Sequence, residues 1–209
     1  MRGDGADTLI GGNGDDRVDG NIGADTARLG SGDDRFEWDP GDGSDSVEGQ
    51  SGADALDFNG SNIGEQIDVT ANGGRVRLTR NIAPITMDFD DIESSVLRAL
   101  GGSDQVTVGD LSGTDLKTAD VDLAATGGGG DASADTVIAD GREKADNVNV
   151  TASGRQVLVG GFPALTRNSG SESLNDTLRL NTLGGKDQVN IDPDAELLIT
   201  PVIDLGTGQ

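Results

Sequence analysis

Gly11-Gly12-Asn13-Gly14-Asp15-Asp16-Arg17-Val18-Asp19 decides the reading of this chain, because the residues on both sides repeat its glycines, its aspartate and its apolar residue in phase. In that frame the units are 2–10, 11–19, 20–28 and 29–37, then, after an inserted Trp38-Asp39, 40–48 and 49–57. The fourth residue is always glycine: Gly5, Gly14, Gly23, Gly32, Gly43 and Gly52. The sixth is always aspartate: Asp7, Asp16, Asp25, Asp34, Asp45 and Asp54. The eighth is apolar throughout, as Leu9, Val18, Ala27, Phe36, Val47 and Leu56.

Each position has a physical reason. Glycine allows positive φ and close backbone approach, so carbonyl oxygens converge where a Cβ would obstruct them. Aspartate adds a hard anionic oxygen. Calcium takes about 6–8 oxygen ligands and mixes carboxylates with backbone carbonyls, so this turn suits Ca2+ without His or Cys. The candidate metal residues are the six aspartates, the six fourth-position glycines and Gly12. The eighth residue lies two beyond the aspartate, and alternate residues of a strand share a face, so it points inward. A lone Gly-x-Asp is an ordinary solvated turn; six in register form a repeat.

The pattern resembles the repeats-in-toxin (hemolysin-type) nonapeptide family, G-G-x-G-x-D-x-U-x, a calcium-binding parallel β-helix signature. The resemblance covers residues 2–57, and only the unit at 11–19 fits every position. Arg2, Asn21, Leu29, Pro40 and Gln50 replace one of the leading glycines elsewhere, and the insertion at 38–39 should bulge one turn. The resemblance implies an all-β fold, a right-handed parallel β-roll or β-helix solenoid with two units per coil and calcium between turns of units two apart. First pairs with third, second with fourth, third with fifth and fourth with sixth, giving up to about four sites.

Composition sets further bounds. The formal net charge of −23 opposes nucleic-acid binding and docking on anionic lipid, and suits cations. Fifteen Asp and Glu against four Arg leave residues 1–60 at −11, a crowding that repels itself without counter-ions. Leu, Ile, Val and Phe make up 14% of residues 1–57 but 26% of residues 58–209. Below about 20% with high charge, burial seldom offsets ordering entropy, so the first segment should fold only with its ligand. No Cys, His or Tyr is present, which removes disulfides, thiol chemistry, the commonest general base and the commonest zinc ligand. No apolar run approaches the ~18–20 residues that span a bilayer, and Met1-Arg2 enters the repeat without a signal-peptide core. That start reads as a piece of something larger or a chain with its export signal elsewhere.

Beyond Phe58 the strict period fades. Gln66–Thr70 and Arg75–Thr79 alternate apolar and polar residues about the turn Asn72-Gly73-Gly74, a strand, turn and strand. The passage returns at Val148–Val159, and Leu100–Val108 returns as Leu183–Ile191. Residues of about 65–110 and 146–193 therefore read as two copies of one larger unit in a β-helix-like solenoid over 58–209. Asp91 to Leu100 reads as a short helical turn. Asp104, Asp135, Asp146, Asp176 and Asp187 keep the Asp-x-apolar spacing. Most have lost the glycine two residues earlier, where Lys144 and Leu174 now stand, while Gly102 and Gly185 retain it. The reading preferred for these is an Asp capping a solenoid turn rather than holding a metal. Gly127–Asp131 lacks the Lys-Ser/Thr of a phosphate loop and reads as a plain turn. Asp110–Asp115 is similar to spacers beside calcium repeats in large secreted bacterial proteins, and Asp204–Gly208 to the opening of another repeat.

Two functions from different classes follow. One is a calcium-binding structural module of a secreted or cell-surface bacterial protein of toxin, adhesin or surface-layer type. It would leave the cell unfolded, by a type I route, and fold on calcium outside. Its partners would be calcium ions and flanking repeats of a larger chain, with self-association through open solenoid ends. The other is a polysaccharide-modifying or glycan-binding β-helix domain. With 38 acidic residues a neighbouring carboxylate pair carries no information, and Trp38 is the single Trp, so the expectation is no enzyme.

Overall fold

A computed structural model describes residues 3–207. Arg2 and Gly208, on which the ends of the repeat reading fall, lie outside the described residues. The glycine-bearing units form β1 (Thr8–Asn13), β2 (Arg17–Asp19), β3 (Thr26–Ser31), β4 (Arg35–Trp38), β5 (Ser46–Ser51) and β6 (Ala55–Asn59). Odd and even strands go to opposite sheets. Pairing is parallel, with Thr8 beside Thr26 and Arg17 beside Arg35. Both steps span eighteen residues, so one coil is two nonapeptides. The next step spans twenty, with Thr26 beside Ser46 and Arg35 beside Ala55, because the Trp38-Asp39 insertion falls within it.

The insertion lengthens its coil by two residues and divides: Asp39 enters an exposed turn, its carbonyl accepting the Asp42 N–H at 3.0 Å, while Trp38 turns inward. Trp38 extends β4 and is fully buried; its ring stacks on Phe58 at a 4.2 Å centroid distance, and its Nε1 donates to the Gly43 carbonyl at 2.8 Å. A large ring in an apolar interior gains more from burial than a regular turn loses by lengthening.

The chain continues as β7 (Gln66–Asn72), β8 (Arg75–Arg80), β9 (Ile85–Asp90), β10 (Ser94–Arg98), β11 (Gln105–Val108), β12 (Thr118–Asp122) and β13 (Thr136–Asp140). It ends with β14 (Asn147–Ser153), β15 (Gln156–Gly160), β16 (Leu165–Ser169), β17 (Thr177–Asn181), β18 (Gln188–Ile191), α1 (Pro193–Glu196) and β19 (Thr200–Asp204). One sheet runs β1-β3-β5-β9-β8-β7-β11-β13-β17-β19, the other β18-β14-β15-β16-β12-β10-β6-β4-β2. The fold is all-β, with parallel ladders interrupted only where β8 and β15 run antiparallel to both neighbours.

Those two antiparallel strands belong to the two related passages. Each passage makes a meander whose first turn has two residues, Gly73-Gly74 or Gly154-Arg155, with a positive φ at the leading glycine. The meander of β7–β9 lies in one sheet and that of β14–β16 in the other, so each sheet gains two strands and the sheets keep nearly equal length. The segment read as a helical turn, Asp91 to Leu100, instead contains β10. Ser95 and Leu97 point inward there, the alternation of a strand.

A single apolar cluster fills the space between the sheets from Ala27 to Ile199. Of the eighth-position residues, Ala27, Phe36, Val47 and Leu56 are fully buried, whereas Leu9 and Val18 in the first coil are only partly covered. The same cluster crosses residue 57 without a break.

Candidate metal centre

The six sequence-predicted aspartates stand in two columns along the solenoid. In one, the Asp7 backbone N–H donates to Asp25 Oδ1 at 2.7 Å and the Asp25 N–H to Asp45 Oδ1 at 2.9 Å. In the other, the Asp16 N–H donates to Asp34 Oδ1 at 2.7 Å and the Asp34 N–H to Asp54 Oδ1 at 2.8 Å. These four links join units two apart. Each carboxylate thus fixes the turn below it and holds a defined rotamer.

The glycines stack in the same columns. A Cβ on Gly43 would lie 1.2 Å from the Gly23 carbonyl oxygen, and one on Gly52 would lie 1.8 Å from that of Gly32. Gly23 is similarly close to Gly5, and Gly32 to Gly14. Gly43 has no positive φ, so close approach alone demands glycine there. Gly12 sits at φ 121°, a conformation that Asn21 and Gln50 also adopt at the same position of their units, at 59° and 75°. Those two replacements therefore keep a positive φ at this position.

The second carboxylate oxygen carries the chemistry. Oδ2 of Asp16, Asp25, Asp34, Asp45 and Asp54 is buried and has no hydrogen-bond partner. An anionic oxygen removed from water without a donor is costly, and five along the two columns call for cations. Before three of them the space is open because a side chain is missing: a Cβ at Gly20 or Gly49 would lie 2.7 Å from the Oδ2 of Asp25 or Asp54, and one at Gly11 would lie 3.0 Å from that of Asp16. Orphaned carboxylate oxygens lying in glycine turns form a hard, all-oxygen donor set, and this fits Ca2+.

The columns have unlike ends. Asp7 is exposed and Asp16 half-buried, while Asp25, Asp34, Asp45 and Asp54 are buried. At the inner end the Asp54 N–H donates to Glu93 Oε2 at 2.7 Å, and the Asp45 N–H meets only the Met87 thioether at 3.5 Å. Glu93 takes an aspartate's place on the next coil, and the sequence gives no sign of it, since no glycine precedes it in repeat spacing. Burial pushes the Asp45 carboxyl up to about 7 and the Asp54 carboxyl up to about 6. Neighbouring carboxylates push the same way, and the backbone N–H groups they accept from pull against it.

Acidic rungs recur beyond residue 57. The Glu65 N–H donates to Asp104 Oδ1 at 2.7 Å, Asp104 N–H to Asp135 Oδ1 at 2.8 Å, and Asp135 N–H to Asp176 Oδ1 at 3.1 Å. A parallel link joins the Asp146 N–H to Asp187 Oδ1 at 2.8 Å. Each accepting carboxylate caps a solenoid turn.

Residues 2–36 match the RTX calcium-binding nonapeptide repeat family, in four copies. This chain carries RTX repeats. No curated protein matches the chain. Among solved structures, the extracellular lipase LipA from Serratia marcescens is similar over 83% of this chain at 13% identity and a TM-score of 0.22. The chain spans 37% of that lipase chain. The RTX match ends within the fourth unit, and the units at 40–48 and 49–57 continue its columns.

Proposed function

We propose that this chain is a calcium-dependent structural module of a secreted or cell-surface bacterial protein, without a catalytic role of its own. It folds its RTX coils when it meets calcium outside the cell. The observation that carries this reading is the row of buried, partnerless Oδ2 atoms on Asp16, Asp25, Asp34, Asp45 and Asp54. Asp16, Asp25, Asp34, Asp45 and Asp54, with carbonyls of the glycine turns, would hold the ions. Calcium would supply charge neutralisation and cross-linking of adjacent coils.

Location follows from affinity. Extracellular calcium modules work at Kd values of about 10⁻⁴–10⁻³ M, concentrations absent from cytosol. In a segment at −11 with few apolar residues, the outermost coils stay unfolded in the cytosol, fit for export, and order afterwards. The glycan-binding alternative gains no support, since Trp38 is buried rather than presented as a sugar platform. Among the described residues no helix is long and apolar enough to cross a membrane.

Circular dichroism of the whole chain during a calcium titration tests the proposal. The expected result is a gain of β signal with calcium and little with magnesium, whose small octahedral shell keeps its waters. An unchanged spectrum over the millimolar range overturns it.

A further inference from the structure

The acidic rungs beyond residue 57 differ in what meets their remaining oxygens. Glu65 is held by the Arg80 guanidinium, with Arg80 Nε donating to Oε1 at 3.0 Å, and its Oε2 accepts the Ser61 N–H at 3.2 Å. Asp146 is paired with the Arg142 guanidinium at 2.6 Å, and its Oδ2 accepts the Arg142 N–H at 2.8 Å. Asp176 Oδ2 accepts the Glu172 N–H at 2.6 Å. In these turns the chain supplies its own cation or its own donor.

Asp104 departs from that pattern. It is 3% exposed, its Oδ1 takes the Glu65 N–H, and its Oδ2 is buried with no partner. That is the state of Asp25 and Asp34 in the RTX coils. Its turn also has their backbone shape, with Leu100 at φ 72° and Gly102 at φ 112°, where the last RTX unit has Gln50 at 75° and Gly52 at 149°. Gly102 is packed against the coil below, where a Cβ would lie 2.4 Å from the Gly64 nitrogen. Negative charge surrounds the site: Asp135, Glu65 and Asp131 all act on Asp104, and among these only Glu65 has an arginine against it. Asp131 is engaged in turn with the Gly102 N–H through Oδ2 at 2.7 Å and with the Ser133 N–H through Oδ1 at 2.8 Å.

We infer that the turn of residues 99–104 is a further divalent-cation site, with Asp104 Oδ2 as its anionic ligand and backbone carbonyls of the glycine turn completing an oxygen shell suited to calcium. The site lies outside the residues that match the RTX family. It goes beyond the function proposed for residues 1–57. The equivalent positions at Glu65 and Asp146 bind no ion, because Arg80 and Arg142 already occupy them.

Amide NMR of the full chain with calcium chloride tests it. In the wild type, the Gly101, Gly102 and Ser103 cross-peaks shift with calcium. In Asp104→Asn they stand still, while Gly14, Gly32 and Gly52 shift as before and calorimetry counts about one ion fewer. Asn keeps the acceptor for the Glu65 N–H, and unchanged Val106 and Val108 peaks report that the variant is folded. Asp146→Asn keeps the full ion count. Three results overturn the inference: stationary Gly101–Ser103 peaks in the wild type while Gly14 and Gly32 move, equal shifts in Asp104→Asn, or an ion lost from Asp146→Asn. If instead Gly14, Gly32 and Gly52 stay fixed while Gly101–Ser103 move, the inference stands and the reading of the RTX coils falls.

Discussion

Asp34 accepts the Asp16 backbone N–H on Oδ1 at 2.7 Å and keeps Oδ2 buried without a partner. One oxygen fixes the geometry of the rung; the other is the one that would take the ion under the proposed function. Asp7 heads the neighbouring column at the exposed end of the solenoid, where water competes for its carboxylate. Asp34→Ala should therefore weaken calcium binding by at least the ~10–100-fold typical of losing a ligand's support, and Asp7→Ala should weaken it far less. Calorimetric titration of each variant measures the difference. Equal losses would mean that the end rung is as well formed as the interior ones.

The raised carboxyls make stability depend on pH in opposite directions with and without calcium. Asp45 lies at about 7 and Asp54 at about 6, above their ordinary 3.8, chiefly through burial. In chelator the folded chain thus holds protons that the unfolded chain gives up. Their contribution is complete below about pH 4 and is lost as pH rises through 6–7. Calcium binds the ionised form, so its stabilisation grows over the same range. The melting temperature should fall from pH 5 to pH 8 in chelator and rise over that interval in millimolar calcium. Parallel profiles would contradict this assignment.

Arg80 does for Glu65 what calcium would do for the RTX aspartates under the proposed function. Its side chain is 4% exposed against 0% for Glu65, and the guanidinium carbon lies 5.3 Å from the centre of the Trp38 ring. Arg80→Met leaves Glu65 buried and unpaired, at a cost of about 3–5 kcal/mol. Adding Glu65→Gln should recover most of that loss, since no charge then remains buried. Thermal melts of the single and double variants in saturating calcium measure the recovery. A double variant no more stable than Arg80→Met would show that Arg80 acts through its packing on Trp38.

The sequence displays these features unequally, for physical reasons. The repeat coils are legible because a calcium turn is local: its glycines and aspartate lie within six residues, and only their spacing matters. The insertion marks a longer turn, but nothing local tells that Trp38 points inward, because its partner, Phe58, is twenty residues away and one coil up. The alternation around Gly73 and Gly154 marks both meanders, but nothing local tells that they join opposite sheets. That depends on how many strands the chain lays down between them. Glu93 and Arg80 carry no motif, since a rung needs only an oxygen or a cation at the right height on the neighbouring coil. Asp104 kept its glycine signature at Gly102, yet its spacing alone could not show that Oδ2 lacks a donor such as the Arg142 N–H that meets Asp146 Oδ2.

The distribution of burial sets how the solenoid comes apart when calcium is removed. Composition alone places the limit of calcium dependence near residue 57, where apolar content rises. The core places part of that segment differently: Phe36, Trp38, Leu56 and Phe58 are fully buried in the cluster that continues to Ile67 and Leu78, whereas Leu9 and Val18 are only partly covered. Under the proposed function the outer coils would therefore depend on ions for nearly all of their stability, through RT ln(1 + [L]/Kd) at each site. The coils of β4 and β6 also rest on burial. Chelation should fray the chain from the N-terminal end, with fast hydrogen exchange at Thr8–Asp25, intermediate protection over Thr26–Asp54, and protection retained in Ile67–Leu78 and in Val148–Val159. Hydrogen exchange with site resolution, at falling free calcium, reads the order directly. Loss of protection at Ile67–Leu78 at the same calcium concentration as at Thr8–Asp25 would make the solenoid one cooperative unit and remove the graded account.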